Sequence, residues 1–240
     1  MKQRYTFHVH YADVDIKCKI KPYILEEQIL NIACRAADDC GFGIPDLNRE
    51  GKSWVLARLQ VAMDEYPILK DDIEVETWIE SNRFSFSTRN FRLWRCTDGQ
   101  HELIGVCKSI WAIIDLKTRE NVNIFGQEQF AKHVDGEKIQ IAAFKHPDKN
   151  TIAGEYSYTI QYSDIDQNGH CNSARYMQII TNAFGKTYVP SFRHFQISYS
   201  HEVRFGECIK VKYTPAENDN VQVLIYNSTG DLCTSAILIK

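Results

Sequence analysis

Two tandem α+β units, each a long helix wrapped by a curved antiparallel sheet, are what this sequence predicts. Three observations carry the expectation. Only two segments of the 240 residues have the apolar spacing of a long helix. Much of the remainder alternates apolar and polar residues, as half-buried strands do. The order short strand, helix, run of strands occurs twice, and the two occurrences share letters.

The first helix is expected from Pro22 to Cys40, where Leu25, Ile29, Ile32, Ala33 and Ala36 form one apolar stripe. Proline suits the first helical turn, because its missing N–H would have no intrahelical partner there, and Gly41 suits the end. The second is expected from Ser173 to Phe184, with Tyr176, Ile180 and Ala183 on one face, Asn172 as its cap and Gly185 as its end. Strands are expected over Ser53–Tyr66, Asp72–Glu80, Phe84–Cys96 and Glu102–Asp115. In the first of these, Val55, Ala57, Leu59, Val61 and Met63 alternate strictly. The last two are joined by Thr97–Gln100, whose Asp-Gly pair favours a hairpin. A second run covers Gln196–Phe205, Glu207–Tyr213, Val221–Tyr226 and Leu232–Ile239, with turns at Pro215–Asn220 and Ser228–Asp231.

The repeat is visible in the letters. Tyr11-Ala12-Asp13-Val14-Asp15 matches Tyr162-Ser163-Asp164-Ile165-Asp166, 151 residues later, each just before a helix. Leu59-Gln60-Val61 matches Phe195-Gln196-Ile197, and Ile73-Glu74-Val75 matches Ile209-Lys210-Val211, both 136 residues later. The offsets differ by 15 residues, which places an insertion in the first copy at Gly41–Lys52. The expected organisation is a first unit at 1–124, a linker over 125–150 and a second unit at 151–240. A lone helix buries its stripe by lying against a concave sheet. Two such sheets joined edge to edge leave no exposed edge between them, and the cleft between the units would suit an acyl chain.

Composition narrows the function. The net charge of −3 argues against nucleic acid as a partner. No stretch approaches 18 uninterrupted apolar residues, so no membrane span is expected, and the N-terminus shows no secretory h-region. The eight cysteines form no Cys-x-x-Cys pair and none has zinc-ligand spacing with histidine. They read as reduced thiols of a cytoplasmic protein, mostly core residues, Cys171 and Cys208 included.

The chemistry concentrates in Asp164-Ile165-Asp166-Gln167-Asn168-Gly169-His170-Cys171-Asn172, directly before the second helix. A helix start presents unpaired N–H groups that can hold an oxyanion. Asp166, Asn168 and His170 alternate, so on an extended backbone their side chains would converge. Glu202, expected on the following strand, supplies a second carboxylate. The first copy has Asp15, Lys17 and Lys19 at the matching positions and lacks the amide and imidazole. Trp54 is a candidate for the acyl-chain wall, with plain core packing as its alternative. Lys17, Lys19 and Lys21 form a basic comb, by default a solvated edge and alternatively a contact for an acidic carrier protein; Arg89, Arg92 and Arg95 are a second candidate patch.

The segment YSDIDQNGHCNSARYMQ, followed by Tyr199-Ser200-His201-Glu202-Val203-Arg204-Phe205-Gly206-Glu207, resembles the signature of hot-dog-fold thioesterases. With the tandem arrangement, the DxDxNxHxN pattern and the segment WVLARLQVAMDEYP, nearly the whole chain resembles the acyl-acyl-carrier-protein thioesterases, a family of plant plastid enzymes and bacterial relatives. The resemblance implies hydrolysis of fatty acyl thioesters of acyl carrier protein. It places the catalytic residues on Asp166, Asn168, His170 and Glu202 and the acyl pocket mainly in the first repeat. Plant members carry a cysteine just after the glutamate, once proposed as nucleophile; here Val203 stands there. No metal or organic cofactor is implied, and related tandem families suggest a homodimer. An acyl-coenzyme A thioesterase, a hot-dog hydratase or dehydratase, and a non-catalytic acyl-binding module are the alternatives.

Overall fold

The computed structural model describes residues 1–97, 99–148, 154–184, 192–214 and 219–240. Asp98 of the expected hairpin, Gly185 at the expected helix end, residues 215–218 of the Pro215–Asn220 turn and the expected 150/151 boundary lie outside them. Two compact units emerge: Met1–Lys21 with Leu25–Ala142, and Pro22–Ile24 with Ala143–Lys240.

The first unit contains β1 (Gln3–His8), α1 (Pro22–Asp38), α2 (Ile44–Arg49), β2 (Lys52–Met63), β3 (Asp72–Arg83), β4 (Phe86–Thr97), β5 (Gln100–Asp115) and α3 (Glu128–Ala131). Its strands are antiparallel in the order β1-β3-β4-β5-β2. The second contains β6 (Gly154–Thr159), α4 (Ser173–Ala183), β7 (His194–Tyr199), β8 (Cys208–Tyr213), β9 (Asn220–Tyr226) and β10 (Leu232–Ile239). Its order, β6-β8-β9-β10-β7, is the first unit's order repeated. Register repeats too. Phe7 opposes Ile73 and Tyr158 opposes Ile209, the same pairing carried forward by the two sequence offsets.

Each unit is a hot-dog, a helix against a curved antiparallel sheet. Pro22 opens α1, and Leu25, Ile29, Ile32, Ala33 and Ala36 are all buried. Ala37 packs in one cluster with Ile79 of β3 and Ile113 of β5. Gly41, at φ +76°, turns the chain out, and its amide reaches Asp38 O at 2.9 Å. In α4 the Asn172 side chain accepts the Ala174 amide, as expected of a cap, and Tyr176 meets Tyr199 of β7 edge to face at 5.9 Å.

Three differences from the sequence expectation have physical causes. The insertion is not an open loop: it folds α2, with Pro45 in the first turn and Leu47 buried beneath it. Residues 125–142 cluster with the first unit, where Phe130 on α3 is buried. The alternation along β2 is broken by a bulge between Leu56 and Arg58, so Leu56 turns in with Leu59, Val61 and Met63 while Val55 is half-buried. Leu56→Ala is therefore expected to cost about 2–3 kcal/mol and Val55→Ala less than about 1 kcal/mol; urea unfolding reads both, and the reverse ranking would contradict the bulge.

Candidate active site

The loop before α4 is a closed turn. Asp166 N donates to His170 O at 2.8 Å, Gly169 N to Asp166 O at 3.0 Å, and Asn172 N to Asp164 O at 2.8 Å. Asp166 Oδ1 accepts the amides of Asn168 at 2.8 Å and His170 at 3.2 Å. Gly169, at φ +78°, permits the reversal. The first unit repeats these bonds. Asp15 N meets Lys19 O at 2.8 Å, Cys18 N meets Asp15 O at 3.0 Å, and Lys21 N meets Asp13 O at 2.9 Å. Asp15 Oδ1 accepts Lys17 N at 2.8 Å and Lys19 N at 3.0 Å. Cys18 sits at φ +59° where the second unit has glycine.

This shared backbone separates architecture from chemistry. The Oδ1 bonds of Asp166 recur at Asp15, in a loop with no imidazole, so they belong to the turn. Asp164 is architectural as well: it is buried, and its Oδ2 accepts Tyr158 Oη and Gln161 N, both at 2.8 Å. What the second unit adds is Asn168 and His170 in place of Lys17 and Lys19. The expectation of an extended segment gathering Asp166, Asn168 and His170 is corrected: the backbone reverses at Gly169, and Asp166 reaches the amides of the other two.

Glu202 is not on the strand. Chain β7 ends at Tyr199, because the amides of Ser200 and His201 both turn to Cys233 O, at 2.7 and 3.3 Å. The chain then meets the site loop, with Cys171 N donating to Val203 O at 2.8 Å. That bond has a first-unit twin, Ile20 N to Pro67 O at 2.8 Å. It sets Glu202 Oε2 3.2 Å from His170 Nε2, with His170 17% and Glu202 40% exposed. The first unit carries Lys19 and Tyr66 at these two places.

The helix start is less open than expected. Ala174 N is taken by the Asn172 side chain at 3.0 Å, and Arg175 N by Asn172 O at 2.9 Å. The Asn168 side chain stands exposed on the turn. Cys171 is buried as anticipated; burial, helped by the Asp164 carboxylate, pushes its thiol up to about 12. Cys208 is exposed, not core, because it opens β8 on its outer face; Cys18 is exposed too. Val203 is fully buried.

Trp54 is both core and wall. Its Nε1 donates to Phe42 O at 2.9 Å, its ring lies 6.3 Å from Phe42 and 6.0 Å from Phe130, and it borders a cavity with Ala33, Ala37, Phe42 and Trp111. All its lining residues belong to the first unit. Lys17 and Lys19 are exposed, while Lys21 is tied to Ala12 O at 2.8 Å. The arginine patch is corrected. Arg92 pairs with Glu76 and Glu137, and Arg95 with Glu65, Asp71 and Glu102. Arg89 is only 5% exposed and lines the cavity. Burial pushes it down to about 10, which leaves it a cation at neutral pH. Its inward aim was legible in the alternation of Arg89 with buried Phe91 and Leu93 along β4.

Two family models match the chain. The acyl-ACP thioesterase N-terminal domain matches residues 1–130, and the acyl-ACP thioesterase C-terminal domain matches residues 146–238. The chain belongs to the acyl-ACP thioesterase family. An acyl-ACP thioesterase structure from Bacteroides thetaiotaomicron is 28% identical, with a TM-score of 0.87 over 99% of this chain and 97% of that one. The 12:0-ACP thioesterase structure of Umbellularia californica shares the fold at 19% identity, with a TM-score of 0.87 and coverage of 99% and 96%. A chloroplastic acyl-carrier-protein hydrolase of Cuphea viscosissima is 25% identical over 189 residues, covering 73% of this chain. The match spans 45% of that plant protein's length, under half.

The paired loops supply a matched test. Asp15→Asn and Asp166→Asn are each expected to lower stability by about 1–2 kcal/mol, since each weakens two amide bonds to a carboxylate. Differential unfolding curves check this, and a destabilisation at one site alone would mean the turns are not equivalent. Cys171→Ala is expected to keep thioester turnover between pH 7 and 9: with its pKa raised to about 12, the group is a thiol and not a thiolate throughout that range. Loss of turnover with the fold intact would restore a cysteine mechanism.

Proposed function

We propose that this acyl-ACP thioesterase family member hydrolyses fatty acyl-acyl-carrier-protein thioesters, releasing free fatty acid and so ending chain growth in fatty acid synthesis. The observation that carries the reading is the His170–Glu202 pair at 3.2 Å, built on a backbone that in the first unit holds lysine and tyrosine instead. An imidazole hydrogen-bonded to a carboxylate is a proton-transfer device. In the proposed step the pair takes a proton from water as its oxygen attacks the thioester carbonyl carbon. The carbonyl oxygen becomes an oxyanion, with the exposed Asn168 amide as its donor. The C–S bond then breaks and the proton passes to the departing thiolate, leaving a carboxylic acid and a free thiol. Asp166 holds the turn that aims His170. Besides the substrate and one water, these steps use only side chains of the polypeptide.

The first-unit cavity is proposed as the acyl pocket, with Trp54 in its wall. Its lining is mostly apolar, as the walls of ligand sites are. The acyl carrier protein is the proposed partner, supported by the family, and the exposed Lys17 and Lys19 offer it a cationic contact. Among the described residues no helix is long and apolar enough to cross a membrane. A cytoplasmic setting is proposed, with all eight cysteines as free thiols.

His170→Ala and Glu202→Ala are each expected to reduce kcat on dodecanoyl-acyl-carrier protein about 10²–10⁴-fold, with the melting temperature held. A thiol-trapping reagent reads the release, which a hydratase would not produce. Full turnover by either variant would remove the dyad from the mechanism. The same assay with the matching coenzyme A thioester ranks the two carriers, and a coenzyme A preference would overturn the carrier-protein assignment.

A further inference from the structure

The first-unit cavity contains a charge that a plain hydrocarbon chain does not explain. Its walls are largely apolar, yet the Arg89 guanidinium is among them. Among the described residues its hydrogen bond is Nη1 to Thr77 Oγ1 at 3.3 Å, and no carboxylate lies within ion-pair distance. A buried charge without a counter-ion is costly to keep. Its strand neighbours Arg92 and Arg95 both have carboxylate partners.

The fold does not demand the arginine. In the first unit Val75 opposes Leu93 and Thr77 opposes Phe91; in the second, Val211 opposes Ile225 and Tyr213 opposes Val223. Carried two residues further along the strand, this register sets Arg89 against Val221, which is fully buried. One unit fills the position with an ordinary core side chain; the other places a cation there.

Arg89 and Ile79 also border a second, smaller pocket, lined further by Met1, Gln3, Cys40 and His133. His133 Nε2 is buried and has no hydrogen-bond partner. Two nitrogen-bearing side chains with unused capacity thus share one inner space at the end of an apolar pocket.

We propose that the pocket takes an acyl chain whose far end carries an oxygen acceptor, a carboxylate above all, held by the Arg89 guanidinium with His133 lining the same inner cavity. The planar guanidinium fork matches a carboxylate bidentately. This rests on the hydrolase reading above and adds a substrate class to it. A chain-terminal carboxylate has two sources: the ω-end of a dicarboxylic acyl thioester, or a free fatty acid entering carboxylate first.

The test compares dodecanoyl-acyl-carrier protein with its ω-carboxylated counterpart, using thiol release by the full chain and by Arg89→Met. The wild type is expected to favour the ω-carboxylated chain by kcat/KM. Arg89→Met is expected to lose about 100-fold on it and to gain on the plain chain, inverting the preference. Dodecanoic acid, added as inhibitor, identifies the second source if Arg89→Met relieves its inhibition. Since Trp54 and Trp111 border the cavity, fluorescence titration of the wild type with dodecanedioic acid gives a readout without turnover. A saturable change that Arg89→Met weakens tenfold or more supports the site. The proposal falls if dodecanedioic acid does not bind and the wild type turns over only the plain chain. Absence of thiol release from every acyl thioester would refute the hydrolase reading alone, because the fluorescence titration still judges the pocket.

Discussion

In each unit one aspartate oxygen, Oδ1 of Asp15 or Asp166, accepts two backbone amides and so closes the turn that leads into the long helix. Everything at the candidate site depends on that closure. With the turn fixed, the next amide, Ile20 N or Cys171 N, meets the carbonyl of a residue far along the chain, Pro67 or Val203. That single backbone bond sets residue 202 beside residue 170. The juxtaposition of these two positions is therefore a by-product of how the fold joins its helix entrance to its sheet, and it is present in both units whether or not chemistry uses it.

The sequence revealed the parts that obey a period or a local rule. Both long helices, their proline and asparagine starts, and the duplication itself were legible, because apolar spacing and capping chemistry are written in neighbouring residues. Bulges were not. One between Leu56 and Arg58 changes which β2 residues face inward, and one between Leu93 and Trp94 inserts Ile104 of β5 into its pairing with β4. Such register shifts depend on the partner strand, which alternation in one strand cannot report. The site was legible in membership and not in shape. His170 and Glu202 do meet, but the convergence argued from an extended backbone fails at Gly169, whose positive φ reverses the chain.

The position after the glutamate shows how packing limits chemistry. Val203 is fully buried and gives its carbonyl to Cys171 N. The thiol of Cys171, on the other side of that bond, is held protonated by burial.

Duplication has let the two units diverge in opposite senses on one backbone. At the loop the second unit carries histidine and glutamate where the first has Lys19 and Tyr66. On the sheet the first unit carries Arg89 where the second has Val221. Each unit carries its distinctive group at a position where the other copy has a different side chain, and neither difference disturbs the strand order, the register or the turn hydrogen bonds.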